Sequence, residues 1–419
     1  MKKLFIVLLA LGLVVAFSMP ACAVENIFGG YWRTRAFMQK DFDGTDTGAK
    51  DQQLVDTRTR IYYTAKFSDN FKFVNKFEFN HYWGQFQTTN KGAGIGTDNT
   101  EQFRIKNSYV DFNVDSVNAK IGLQGYKLAR GFLFSDDVAG AVVTYKGDGF
   151  SVPFAWLKAY EGGKGIDANE KDVDYYAIAP KFTLDNIKVN PYLLWITSDD
   201  YSGWNTLPAG AAALTAETET DIYYLGVDVD AKVGAASVWA TGIYETGSVE
   251  EKGVADTDIS AYLVALGGST KVGAATVRGQ FFYATGDDAD ADYNAFWVPK
   301  GQCYYWSEIL GYGIFDTNVN DGCGYKTSDI MAFNLGATLK PMDKVTVKLD
   351  LWNANLAEDD SNGETSLGTE VDVVVTYALL ENLKLDVVAA YLFAGDATTG
   401  GGDDDANPYE FGTRLSFSF

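Results

Sequence analysis

The stretch YEFGTRLSFSF, from Tyr409 to Phe419, reads as a strand with two unlike faces. Phe411, Leu415, Phe417 and Phe419 share one parity, and Glu410, Arg414, Ser416 and Ser418 share the other. Only Thr413 softens the apolar side. Strand side chains alternate between faces, so one face suits hydrocarbon and the other water. The length matches the roughly 9–11 residues that a tilted membrane-crossing strand needs.

The other end of the chain fits this reading. Lys2 and Lys3 precede an apolar run from Leu4 to Phe17, and Ala21-Cys22-Ala23 supplies a small-x-small cleavage site. These features predict a secretory signal peptide over 1–23 and one mature domain over 24–419. No other stretch approaches the ~18 uninterrupted apolar residues of a membrane helix. Aromatic content of 15%, 43 Gly and only 8 Pro favour strands. The mean hydropathy of −0.11 suits a barrel as well as a water-soluble fold, because only every second strand residue faces lipid.

Alternating segments recur at 29–38, 54–67, 71–83, 101–114, 117–124, 139–146, 149–158, 173–182 and 187–197. They continue at 220–231, 235–245, 257–268, 273–285, 327–339, 343–355, 367–378, 383–393 and 409–419. Short turns, such as Asp115-Ser116, Gly147-Asp148 and Leu184-Asp185-Asn186, alternate with long connections, such as 39–53, 125–138 and 286–326. The expected fold is all-β: a transmembrane antiparallel up-and-down barrel of about 18 strands, with short periplasmic turns and long extracellular loops. The terminal strand, ending on Phe419, resembles the last strand of bacterial outer-membrane barrels. Clear lipid faces are expected at Val345, Val347, Leu349 and Leu351, at Val371, Val373, Val375 and Tyr377, and at Leu385, Val387, Ala389, Tyr391 and Phe393. The parity of 101–114 and 173–182 stays open.

Basic residues gather in the N-terminal half: Arg33/Arg35, Arg58/Arg60 and Arg104/Lys106, with Lys76, Lys120 and Arg130. Pairs at i, i+2 share one strand face. A charge facing lipid at mid-depth costs ~2–4 kcal/mol, which places these groups, with Glu78, in the lumen as candidate pore-lining residues. One reading is a basic track that favours anions. The other is neutralisation of Asp56, Glu78 and Asp111 across neighbouring strands.

The formal charge is −22. Removing 1–23 takes Lys+Arg from 34 to 32 against 56 Asp+Glu, leaving −24. Such a chain repels nucleic acid. The acids cluster in the expected loops, for example at Asp41, Asp43 and Asp46, at Asp287 to Asp292, and at Asp403 to Asp405. They read as a solvated surface, or as divalent-cation bridges to lipopolysaccharide phosphates. Asp288-Ala-Asp290-Ala-Asp292 is no EF-hand, since it lacks the central Gly and has Pro299 at the closing position. The loop 286–326 is the longest, and it carries Phe296, Trp297, Trp306 and Phe315. An exposed loop this apolar needs an explanation, so it is expected to fold inward as a constriction. Cys303 and Cys323 bracket its core and are expected to form a disulfide. His81 is the only histidine, and it shares parity with Phe73, Phe77 and Phe79. That argues against an enzyme with a histidine general base. No cofactor or metal motif is present in the sequence.

Arg33-Thr-Arg35, the run from Asp56 to Lys66, Phe71 to Trp83 and Ala119 to Arg130 resemble the alginate-export type of outer-membrane porin. The resemblance covers roughly 28–146. It implies an 18-stranded barrel with an arginine-lined pore that passes small hydrophilic solutes, seated among outer-membrane lipid and lipopolysaccharide. The acidic loops and the Cys-bracketed loop depart from that pattern, so the channel role alone carries over. The alternative expectation is a barrel scaffold that sheathes a periplasmic multihaem cytochrome. Self-association is a further open partner.

Overall fold

The computed structural model describes residues 24–84, 92–93, 102–163, 171–201, 218–253, 256–288, 292–317, 327–400 and 406–419. The expected signal peptide lies outside them. The chain forms a closed antiparallel barrel of 18 strands. The first nine are Glu25–Lys40 (β1), Gln52–Ser68 (β2), Phe71–Trp83 (β3), Gln102–Val114 (β4), Val117–Leu128 (β5), Phe134–Gly147 (β6), Phe150–Tyr160 (β7), Val173–Ile178 continued by Lys181–Leu184 (β8), and Ile187–Ser198 (β9). The second nine are Thr218–Val233 (β10), Ala236–Glu251 (β11), Thr257–Val272 (β12), Ala275–Ala284 (β13), Ile330–Met342 (β14), Val345–Asn355 (β15), Ser366–Ala378 (β16), Leu383–Ala394 (β17) and Tyr409–Ser418 (β18). A two-residue strand, Gly92–Ala93, runs parallel to the end of β3. Each strand pairs with its sequence neighbour. β18 closes on β1 in register from Tyr31↔Ser418 to Lys40↔Tyr409.

Turns of two residues lie on one rim. Asp115 and Asp185 adopt positive φ there (50° and 47°), and Gly149, Gly234 and Gly273 do the same on later turns. The strands run a few residues past the expected ends, so the turn expected at Gly147-Asp148 falls at Asp148-Gly149. The expected long connection 125–138 is a correction. Strand pairing continues to Leu128↔Phe134, leaving one 3-10 turn at Ala129–Gly131.

The outer face follows the expected alternation. Leu349, Leu351, Val371, Tyr377, Tyr391, Phe393 and Phe411 are exposed, as lipid-facing positions must be in a bare chain. Two strands whose parity the sequence left open carry a local irregularity. In β4, Lys76 faces Asn107 while Phe77 faces Ile105, so Lys106 is an extra residue and the alternation slips by one. In β8 the break at Ala179-Pro180 comes where proline withholds a ladder donor.

Candidate functional site

The interior is where the strands differ from a plain polar lumen. On β12, Tyr262, Val264 and Leu266 are exposed, while Ile259, Leu263 and Ala265 on the opposite face are buried. What covers that inner face is the segment 292–317. Its Phe296, Trp297, Ile309, Leu310 and Phe315 are themselves buried. The segment touches strands on opposite sides of the ring. Tyr224 of β10 donates its hydroxyl to the Trp297 carbonyl (2.8 Å), and Arg35 of β1 donates to the Ile314 carbonyl (2.9 Å). In a closed barrel only a segment lying inside can reach both, so residues 292–317 lie within the barrel.

Strand carboxylates hold this loop by its backbone. Glu370 accepts from the N–H of Ile309 (2.7 Å) and of Leu310 (2.9 Å), and Glu245 accepts from Trp297 N–H (2.8 Å). These bonds tie the loop's main chain to the barrel wall at two separate strands. A second inward piece packs on the first. Phe132, just after the 129–131 turn, stacks on Tyr304 at 3.8 Å, and Ser135 N–H donates to the Gly301 carbonyl. Arg130 crosses the interior to Asp230 (3.1 Å) and Thr241 (3.0 Å), with its guanidinium 4.9 Å from the Trp239 ring. Ala129 and Arg130 both hold positive φ, 51° and 56°. Such backbone is strained for residues other than glycine.

The arc from β18 through β1 to β4 is built differently. Arg33, Arg35, Arg58 and Arg60 share the inner face, and carboxylates meet them. Asp316, from the tip of the inward loop, lies 2.7 Å from Arg33, 2.8 Å from Arg35 and 3.9 Å from Arg58. Arg35 also pairs with Asp56. Glu78 lies 2.7 Å from Arg60 and 3.7 Å from Arg58. Four guanidiniums thus meet three carboxylates. Burial pushes the Asp316 carboxyl up, but Arg33 and Arg35 outweigh it and hold it below the usual carboxylate range. Between this cluster and the loop tip lies a cavity of about 240 Å³, lined in part by Arg35, Asp56, Arg58, Asn80, Arg104 and Asp316.

The remaining predicted residues are scattered. Lys76 sits over the Tyr62 ring at 5.3 Å and Lys120 over Tyr109 at 6.0 Å. Lys106, at the bulge, pairs with Asp137 (2.6 Å), and Asp111 is met by Lys72 (3.2 Å). Cys303 is a free thiol among the described residues; Cys323, its expected disulfide partner, lies outside them, as do Asp403 to Asp405. Among the described residues no group of acids, cysteines and histidine is arranged to hold a metal ion.

Asp316 and Glu308 were not singled out from the sequence. Burial raises the Glu308 carboxyl to about 7, with Glu370 adding like charge, although Ile314 N–H donates to it. The available signal was a lone acid directly after two apolar residues, at Ile314-Phe315-Asp316.

This geometry has counterparts among solved structures. OccAB4 of Acinetobacter baumannii superposes with a TM-score of 0.61 at 12% identity, covering 94% of this chain and 98% of that one. The fold is that of an outer-membrane porin. OccK9 (OpdG) of Pseudomonas aeruginosa gives 0.61 at 12% identity, and OpdK of the same organism 0.60 at 10%, each covering 94% of this chain and 98% of the other. OpdK has also been solved with vanillate. No protein-family model matches this chain, and none of the curated proteins matches it in sequence. The likeness is to Occ and Opd porins in fold, and an alginate-export type is not among the solved structures named.

Proposed function

We infer that this protein is an outer-membrane porin, a passive channel that admits small hydrophilic solutes and favours anions. The observation that carries the reading is the polar cavity left between the loop tip and the β1–β4 wall, in a barrel whose other half is filled. In this reading the cavity is the constriction of the passage. Arg35, Arg58 and Arg104 line it, Arg33 lies behind them, and Arg60, Glu78, Lys76 and Lys120 continue it toward the short turns. Lys106 and Arg130, tied to Asp137 and Asp230, contribute framework instead. The alginate-export resemblance lends this reading the channel role only.

Mixed arginine and carboxylate walls orient a passing solute, and the carboxylates among the arginines keep the passage from holding an anion too tightly to release it. A small carboxylate suits such a wall. Vanillate, the ligand named with OpdK, is one to try. The cytochrome-sheath alternative requires a wide lumen, and the buried Phe296, Trp297 and Phe315 weigh against it.

The test is conductance and reversal potential in a planar bilayer across a salt gradient. Stable channels with a reversal potential on the anion side are expected. A barrel that inserts and conducts nothing would overturn the porin reading. A reversal potential on the cation side would remove the anion preference and keep the channel.

A further inference from the structure

The short-turn rim carries charge that the arginine cluster does not explain. Lys146, Lys181, Lys188, Lys232, Lys271 and Lys384 all stand within a few residues of the short turns, and all are exposed. They share one face of their strands. Lys188 keeps the parity of the buried Tyr192, Leu194 and Ile196, and Lys271 that of the buried Leu263 and Ala265. Lys384 follows Val388 and Ala390 in the same way. Lys188 is opposite Thr183, two residues on from Lys181, so Lys181 joins the same side past the break in β8. These are inner positions, spread over β6, β8, β9, β10, β12 and β17.

The inner-face acids nearby are already engaged. Asp350 pairs with Arg278, Asp386 with Arg414 (2.8 Å) and Asp230 with Arg130 (3.1 Å). Among the described residues, none of the six lysines makes an ion pair. Even with Asp230 opposite Lys188 and with Asp148, Asp185 and Glu381 in the turns themselves, the six lysines leave net positive charge on this rim, whereas Arg33, Arg35, Arg58 and Arg60 are held in ion pairs. The opposite rim is acidic, with carboxylates at Asp287, Asp329 and Glu358, for example.

The geometry points to this lysine ring, and not the arginine cluster, as the element that selects anions, gathering polyvalent ones such as phosphates and polycarboxylates at the short-turn mouth. The inference rests on the porin reading above. Lysines on the adjacent strands β8, β9 and β10 act together within a Debye length of about 8 Å, and a same-sign mouth raises local counter-ion concentration by roughly tenfold or more. Because the ring occupies one mouth only, its effect has a side.

Two measurements test it. In bilayers with the protein inserted in one orientation, tripolyphosphate should block current at about tenfold lower concentration from the short-turn side. In a gradient at low salt, the combined substitution Lys188→Gln, Lys232→Gln, Lys271→Gln and Lys384→Gln should bring the anion-to-cation permeability ratio toward one. Lys50→Gln, an exposed lysine on the long-loop side, should leave the preference in place. Heat-modifiable migration on gels confirms that each variant is folded. Equal block from both sides, or an unchanged ratio in the fourfold variant, overturns the ring while the porin stands. A wild-type protein that conducts nothing overturns both.

Discussion

The two halves of the barrel interior solve one packing problem in opposite ways. Around β9 to β14 the inner positions are mainly apolar, with a few polar groups such as Glu245 among them, and they are covered by the folded-in loop: Tyr224, Ile222, Leu263, Phe282 and Ile330 are buried against Phe296, Trp297 and Ile309. Around β18 and β1 to β4 the inner positions are arginines and carboxylates, and a cavity remains. A strand wall that offers hydrocarbon inward must be filled, because no water will pay for wetting it. A wall that offers paired charge can stay open, since each group keeps a partner and some water. The position of the passage is thus set by which inner residues are apolar.

The comparison can be broken from the filled side first. Trp297→Ala should cost roughly 3–5 kcal/mol of loop docking and raise single-channel conductance severalfold, because the indole and its edge contact with Tyr201 are lost. An unchanged conductance would mean that the loop does not limit flow. Asp316→Asn acts on the open side. It leaves three arginines short of one carboxylate, should weaken docking by about 1.5–3 kcal/mol, and should move the reversal potential further toward anions.

Acidity separates the two anchors. Glu308 is raised in the docked loop to about 7, so the neutral acid favours docking. That help is complete below the ordinary carboxylate value near 4.5 and is lost as pH rises through 7. Conductance should therefore climb between pH 5.5 and 8, and Glu308→Gln should flatten the curve. Asp316 is lowered, so its contribution is present above about 3.8 and is lost as pH falls further. Channels should loosen again as the pH is taken well below the ordinary aspartate value. The smallest effect is expected for Arg58→Ala, whose charge is shared with Glu78 and Asp316. A shift of a few millivolts in reversal potential is the most it should give.

Much of the barrel is legible in the sequence, and the reason is local. The lipid face of β15 to β18 repeats every second residue, and turns such as Asp115-Ser116 sit where the alternation stops. The inner placement of Arg58 and Arg60 follows from the same parity. Two strands resisted for stated reasons: one extra residue at Lys106 shifts the phase of β4, and β8 is buried on its inner face by Val173, Tyr175 and Ala177, so apolar residues no longer mark the lipid side. The salt-bridged cluster was only half legible. Its strand members are neighbours across a hairpin, but Asp316 reaches Arg33 over 283 residues, and no spacing rule announces such a partner.

The seam between β1 and β18 bears on how the barrel comes to exist at all. Phe419 exchanges backbone hydrogen bonds with Gly30 (2.9 and 3.2 Å), and its ring lies 2.3 Å from where a Cβ on Gly30 would stand. Every other hairpin zips between neighbours, whereas Gln39 and Glu410 meet across 371 residues. Non-local pairing of this kind is slow to nucleate. Until it forms, the growing sheet carries two raw edges of unpaired amides and carbonyls, which hydrocarbon cannot satisfy. The bulk that Gly30 leaves room for acts as a latch on the last step of folding. Gly30→Ala should therefore slow the maturation of the barrel without altering what the finished channel conducts.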